Sequence, residues 1–226
     1  MGDLMFRLKD GVAVDCNIAP TQVPPVVDDI TEVVSNAKFI LIVEKETIFQ
    51  RLQDEEFCSQ FYPCMMITAK GYPDYATRQM LQLLLDSLQI PMYVLVDGDP
   101  YGIDIYLTYR FGSSNNDCDI NVNNVNLNCI QWLGVLPSEI SRLNFPKDQY
   151  LALTDREKSK LRCMSDRASE FADERFLVDQ LQIMLELGLK VELEALCSLE
   201  ASYLSQVYLR SKLAGLFESA PVSQSH

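Results

Sequence analysis

The sequence predicts an α/β fold, a mainly parallel sheet flanked by helices, with a helical C-terminal extension. Three observations carry that expectation. Residues 39–43, 64–68 and 93–96 are short continuous apolar runs, the pattern of strands buried on both faces. The segments between them place apolar residues at helical spacing. Each run ends at a polar rim: Glu44 after the first, Lys70 after the second, Asp97 and Asp99 after the third. Strands alternating with helices in this way are joined by crossovers and run parallel.

Taken in order, residues 1–37 read as an N-terminal connecting segment. Within it, 12–14 suit a strand edge. Pro20, Pro24 and Pro25 suit an extended path, and 28–35 a short helix. The core spans 38–150. Residues 47–54 predict a helix with Ile48, Phe49 and Leu52 on one side. Residues 75–88 predict a second, with Met80, Leu81, Leu84, Leu85 and Leu88 three and four apart. Residues 103–109 predict a third, with Arg110 near its end. The Asn-rich stretch 113–128 reads as a polar loop with one alternating strand over 120–125, and 129–133 as a further strand. From 151 to 226 the chain turns helical and packs on the core. Thr154 and Glu157 form a capping box. Residues 172–187 make an amphipathic helix stopped by Gly188. Residues 189–213 make another, with Leu193, Leu196, Leu199, Tyr203 and Val207 on one face.

Parallel α/β sheets bind ligands beyond the carboxyl ends of their strands. Glu44, Lys70, Asp97 and Asp99 would converge there. On extended backbone Asp97 and Asp99 point to the same side. Hard divalent ions such as Mg²⁺ take one or two carboxylates plus water and phosphate oxygens. Taken alone, residues 97–100 are equally an ordinary polar turn. Three carboxylates on one rim favour the cation, because so many like charges need a counter-charge or shifted pKa values. Gly98 and Gly102 would allow close backbone approach. Asp117, Asp119 and Asn121 hint at an EF-hand, but Val122 and Asn128 stand where its glycine and glutamate belong, which excludes it.

Composition narrows the classes further. Net charge is −13, whereas a free-standing nucleic-acid binder is normally basic, so any DNA-facing surface must be local or lie on another segment. Seven cysteines, an odd number without a C-x-x-C, read as reduced thiols of a cytosolic or nuclear protein, mostly core filler. The only histidine is His226, which excludes a Ser–His or Cys–His pair in the body of the chain and argues against zinc. The longest aliphatic run, 39–43, is too short for a membrane span. No signal-peptide pattern opens the chain, and Phe6 stands where a myristoylation signal wants Ser or Thr.

Four stretches come in the order and spacing of one family: Val43-Glu44-Lys45, Lys70-Gly71-Tyr72-Pro73-Asp74-Tyr75-Ala76-Thr77-Arg78, Asp97-Gly98-Asp99-Pro100-Tyr101-Gly102 and Trp132-Leu133-Gly134-Val135-Leu136-Pro137. Over residues 10–213 the chain resembles the topoisomerase VI A-subunit family, specifically its eukaryotic branch, which makes programmed meiotic DNA double-strand breaks. The resemblance implies a Toprim (Rossmann-like) core, with Mg²⁺ held by Glu44, Asp97 and Asp99. It implies an ATP-hydrolysing DNA topoisomerase-type assembly that cleaves by transesterification, a tyrosine hydroxyl attacking a phosphodiester and staying on the 5′ end. The implied partners are double-stranded DNA, a second copy in a homodimer and a topoisomerase VI B-like subunit, on chromosomes in the nucleus, with no membrane. By position Glu44 is the candidate for proton transfer. Lys70, Arg78 and Arg110 are candidates for DNA phosphate contacts, each with a surface salt bridge as its alternative.

Two departures accompany the resemblance. The family's tyrosine sits on a preceding winged-helix domain, in an Arg-x-x-aromatic-aromatic context. None of Tyr72, Tyr75, Tyr101 or Tyr109 stands in that context, so no nucleophile is assigned and the chain alone is expected to be inactive. Ala69 stands where the family usually has glycine, which bears on the geometry of that loop. Two other readings follow from the same residues. One is a non-catalytic DNA-binding and dimerisation isoform. The other is a phosphatase with an aspartyl nucleophile, which would carry Thr or Val where this chain has Tyr101.

Overall fold

The structure, a computed structural model, describes residues 1–112, 125, 127–168 and 175–219. Three strands form a small antiparallel sheet in the order β2-β1-β3: β1 Met5–Leu8, β2 Ala13–Asp15 and β3 Ile30–Val34. The main sheet is parallel, in the order β5-β4-β6-β7: β4 Ile40–Val43, β5 Met65–Ile67, β6 Met92–Leu95 and β7 Gln131–Gly134. The runs of β4, β5 and β6 are buried at every position, which is why they are apolar without alternation. Register pairs Ile40 with both Met65 and Met92, and Val43 with Leu95, so β4 and β6 end level. The helix α1 Glu46–Asp54 and the short α2 Phe57–Gln60 connect β4 to β5. The helix α3 Tyr75–Leu88 connects β5 to β6, and α4 Pro100–Phe111 follows β6. The α/β architecture with a flanked parallel sheet and C-terminal helices is therefore as the sequence predicts.

Local chemistry sets the helix limits. Asp74 caps α3 by accepting from the Thr77 N–H at 2.7 Å. Asp99 caps α4, and Pro100 fits its first turn, where no N–H is needed. That helix therefore begins three residues before the expected Ile103. The strand expected over 129–133 is β7, shifted toward the glycine. Of the polar loop expected over 113–128, residues 113–124 and 126 lie outside the described residues, and with them most of the strand expected over 120–125.

Two expectations fail. The helix expected over 28–35 is a single 3-10 turn, Val27–Asp29, followed by β3. Ile30-Thr31-Glu32-Val33-Val34 is rich in β-branched residues, and β1 offers a pairing edge from Met5 to Leu8. The chain before it docks on the core as well, Gly2 bridging to Met65 at the open edge of β5. At the other end, the continuous helix expected over 189–213 is broken. After α5 Pro137–Ile140, β8 Leu151–Ala152, α6 Asp155–Ala168 and α7 Arg175–Leu187 comes β9 Leu189–Lys190, paired with β8. Then come α8 Glu194–Leu199, a π-helical stretch Tyr203–Leu209 and α9 Arg210–Ser219. Leu193 and Leu196 are buried, but Val207 is 44 % exposed, so the expected stripe was out of phase with the real core face of Leu204, Tyr208, Leu209 and Leu213. The capping box at Thr154 and Glu157 forms as expected, and Gly188 ends α7 at φ +64°, its N–H bonding Met184 O.

Cys16, Cys58 and Cys64 are buried free thiols, while Cys129 and Cys163 are exposed. Among the described residues no helix is long and apolar enough to cross a membrane.

The C-terminal layer is tied to the core by a buried polar knot. Tyr208 Oη donates to Glu139 Oε2 at 2.8 Å, the Leu136 N–H donates to the same oxygen, and Lys212 Nζ pairs with Glu139 Oε1 at 2.7 Å. Removing a bond to a buried charge costs about 1.5–3 kcal/mol. Tyr208→Phe should therefore lower unfolding free energy in urea by that amount with an unchanged denaturant slope. A variant as stable as the parent would show that the knot contributes nothing.

Candidate metal centre

The sheet order puts a topological switch point between β4 and β6: the chain leaves β4 toward β5 on one side and then crosses to β6 on the other. Glu44 follows β4 directly. Its N–H bonds Leu95 O and its carbonyl accepts from Gly71 N, both through bonds of 2.9–3.0 Å, so its backbone is clamped between both neighbours. Its side chain turns inward, and Oε2 accepts the Asp97 backbone N–H at 2.7 Å. Asp97 lies two residues beyond β6. Its Oδ1 accepts the Leu193 N–H at 2.8 Å, and its Oδ2 pairs with Lys45 Nζ at 3.0 Å. Glu44 and Asp97 are both buried.

Asp99 is held differently. Its Oδ1 accepts the N–H groups of Tyr101 and Gly102 at 2.9 and 2.7 Å, where the helix dipole favours a negative charge. Gly102 is required by contact: a Cβ there would overlap the backbone of Asp97, with its nitrogen at 2.9 Å and its carbonyl oxygen closer still. The turn that presents the two aspartates thus folds back onto the first turn of α4.

Lys45 and the segment 190–194 belong to the site, and sequence reasoning missed both. Lys45 Nζ touches Glu194 Oε2 at 2.8 Å and Glu192 Oε2 at 3.4 Å as well as Asp97. Val191 N–H bonds Gly98 O, which extends the rim by one bridge before Leu193 reaches Asp97. The adjacency of Lys45 to Glu44 was a readable signal. The contribution of 190–194, about a hundred residues away in sequence, carried none.

The expected phosphate-binding residues separate. Lys70 stands on the rim, exposed, in left-handed backbone at φ +61°, and pairs with Glu46 at 2.9 Å. Gly71 next to it also has positive φ but Ala69 does not, so the methyl at 69 fits this loop. Arg78 is buried instead, Nη2 donating to Val125 O at 2.9 Å, with the Gly112 backbone packed on the guanidinium. Arg78, a candidate DNA contact by sequence, here ties α3 to the chain beyond α4. Arg110 lies eleven residues along α4 from Asp99, about 16 Å at 1.5 Å per residue. Its guanidinium bonds Tyr106 Oη at 3.0 Å and stacks on Phe111, away from the carboxylates. Beside Asp99 the structure adds a cluster not expected from sequence: Tyr72 Oη and Lys160 Nζ both bond Asp104 Oδ2, at 2.7 and 2.6 Å, and Lys160 lies over the Tyr101 ring.

Among the described residues, no group of three or more His, Cys, Asp or Glu side chains is arranged to hold a metal ion. Mg²⁺ does not need one, since it keeps waters and commonly uses one or two carboxylates. Hard carboxylate oxygens on adjacent strands, with an ammonium already seated on one of them, are a donor set that fits it. Electrostatics point the same way. Burial pushes the Glu44 carboxyl up to about 7, with the Asp97 charge adding to it. Burial pushes Asp97 up to about 6 against the Leu193 N–H and Lys45. Burial raises Asp99 too, against its two helix N–H bonds. For Lys45, burial acts downward, but Glu194 and Asp97 outweigh it and hold the ammonium above its usual range.

Both Glu44 and Asp97 bind protons more tightly folded than unfolded. Stability from this source is complete below the ordinary carboxylate range and is lost as pH rises through about 6 to 7. In chelator, the unfolding free energy of the parent should fall between about pH 5 and pH 8 relative to Glu44→Gln, which keeps an acceptor for Asp97 N–H but cannot ionise. Parallel profiles for the two proteins would refute the strain.

Comparison with known proteins identifies the family. A family model, the topoisomerase 6 A-subunit/Spo11 Toprim domain, matches residues 39–213. The chain is 40 % identical over 214 residues to the meiotic recombination protein SPO11 of Mus musculus, covering 94 % of this chain and 53 % of that protein. It is 42 % identical over 221 residues to the meiotic recombination protein SPO11-1 of Arabidopsis thaliana, covering 94 % and 59 %. It is 34 % identical over 222 residues to the A subunit of DNA topoisomerase 6 from the same plant, covering 94 % and 49 %. The chain spans about half the length of the curated relatives it matches. With the matched segment running from β4 through the C-terminal layer that completes the rim, the chain belongs to the topoisomerase 6 A-subunit/Spo11 family and carries its Toprim domain.

Proposed function

We propose that this chain is the metal-binding part of a type II topoisomerase-like DNA transesterase that makes meiotic double-strand breaks in the nucleus, with Mg²⁺ as its cofactor. The observation that carries the reading is the Asp97 N–H bond to Glu44 Oε2, which ties the buried Glu44 carboxylate to the backbone of the residue that bears the second buried carboxylate at the switch point. The relatives' names support the biological setting. Glu44, Asp97 and Asp99 would hold the ion. When bound it would supply positive charge to a DNA phosphate and to the oxygens that enter and leave it. The attacking tyrosine hydroxyl would come from a segment outside the family match, leaving a 5′-phosphotyrosyl bond. A homodimer and a topoisomerase VI B-like subunit complete the proposed assembly.

The chain's own residues take defined parts. Glu44, with a carboxyl near neutrality, is placed to hold or pass a proton. Lys70 is the proposed phosphate contact. Its pair with Glu46 is exposed and therefore weak, so the ammonium can leave it at little cost. Tyr72 ties the loop that carries Lys70 to α4 through Asp104, to which Lys160 of α6 also pairs.

Mg²⁺ titration of the folded chain, followed by calorimetry, tests the centre. Asp97→Ala and Asp99→Ala should each abolish binding while leaving the far-ultraviolet dichroism intact. Unchanged affinity in both variants would refute the site. Duplex DNA binding measured against salt tests the rim. Lys70→Ala should reduce the log–log slope by about 1, and Arg78→Ala should lower stability without altering the slope. The reverse result would restore Arg78 as the contact. Binding of DNA with no cleavage on addition of the tyrosine-bearing segment would leave a docking and dimerisation module.

A further inference from the structure

Among the described residues, Lys45 is the one cation in contact with a carboxylate of the proposed centre, and its contacts differ in kind. Asp97, its inner partner, is 7 % exposed at the side chain. Glu192 and Glu194, its outer partners, are 54 % and 43 % exposed. All three carboxylates lie within 3.4 Å of one Nζ. A lysine ammonium is a compact point charge with three donors on a flexible stem, so it can give up one acceptor and keep two. The outer seat is prepared: Thr47 Oγ1 donates to Glu194 Oε1 at 3.3 Å and orients that carboxylate at the start of α8. The inner seat needs a cation, because a buried carboxylate without a counter-charge is strongly disfavoured.

We propose that Lys45 is a built-in counter-ion of this centre, occupying Asp97 Oδ2 in the metal-free chain and withdrawing onto Glu192 and Glu194 to admit a divalent cation. Lys45 then sets metal affinity without being a ligand. It keeps the empty centre folded, and its departure is the cost that a cation must outbid. The 192–194 segment lowers that cost by receiving the ammonium. This inference rests on the metal reading above, since it takes Asp97 as a ligand.

The test is a Mg²⁺ and Mn²⁺ titration of the folded chain, with the melting temperature in chelator recorded alongside. Lys45→Met should bind either ion about tenfold more tightly than the parent and melt lower without metal. Lys45→Gln, which keeps a hydrogen-bond donor for the acids and loses only the charge, should behave the same way and serves if Lys45→Met does not fold. Replacing Glu192 and Glu194 together by Gln should weaken binding more when Lys45 is present than in the Lys45→Met background, since only then is a receiving seat lost. A purely structural lysine would instead give weaker or unchanged affinity on substitution, and that result would overturn the proposal. Glu44→Gln in the same titration separates the two layers of the argument. Full affinity in Glu44→Gln would sink the metal centre itself. Lost affinity there, with no gain in Lys45→Met, would sink only the role of Lys45.

Discussion

Everything at the carboxyl end of the sheet depends on holding the carboxylates of Glu44 and Asp97 together away from water. A carboxylate inside a protein must be given hydrogen-bond donors or a counter-charge. Here the donors are backbone N–H groups, of Asp97 for Glu44 and of Leu193 for Asp97, and the charge is Lys45. Backbone donors are fixed by the fold and cannot be swapped side chain by side chain. That explains why Gly102 must lack a Cβ, why β4 and β6 must end level, and why the chain past α7 must return to the rim. The same donors satisfy the carboxylates only in part. Burial still raises both carboxyls above the ordinary carboxylate range.

The return of the C-terminal layer changes what counts as the domain. Gly98 pairs with Val191, Asp97 bonds the Leu193 N–H, and Lys45 reaches Glu194. Each contact joins a residue of the strand ends to a segment roughly a hundred positions later or more. The parallel sheet alone would leave Asp97 Oδ1 without its backbone donor and its Oδ2 facing an unanchored lysine. The extension from β8 to α9 thus helps wall the carboxylate rim, and the polar knot at Glu139 holds that wall on the core.

The legible and the illegible parts of this chain divide along physical lines. Continuous apolar runs announce strands buried on both faces, so 39–43, 64–68 and 93–96 were readable to within a residue or two, as was α3 from its leucine spacing. The strand-end rule put Glu44, Asp97 and Asp99 just beyond β4 and β6, and the structure has them there. The misreadings occurred where tertiary partners decide. Residues 30–34 are short and half polar, and they became strand only because β1 offers an edge. Residues 189–193 look helical by leucine spacing, but they are drawn out by backbone pairing to β8 and Gly98. At Arg78 the sequence shows charge and not direction. Its guanidinium turns inward to Val125 O.

The charge balance of the rim adds a last constraint. Lys45, Lys160 and Lys190 lie near the strand ends, but each is already paired, with Asp97, Asp104 and Glu157. Counting Glu44, Asp99, Glu192 and Glu194 as well, the region carries more negative than positive charge, in keeping with a chain of net −13. A DNA phosphate approaching such a surface is repelled over roughly a Debye length, about 8 Å at physiological salt. Lys70 alone does not reverse that sign. In the proposed centre, a divalent cation held by Glu44, Asp97 and Asp99 would add two positive charges to this rim. On the proposed function, the cation would therefore supply the positive charge that Lys70 alone does not, and a phosphate would be held at this rim with the metal in place.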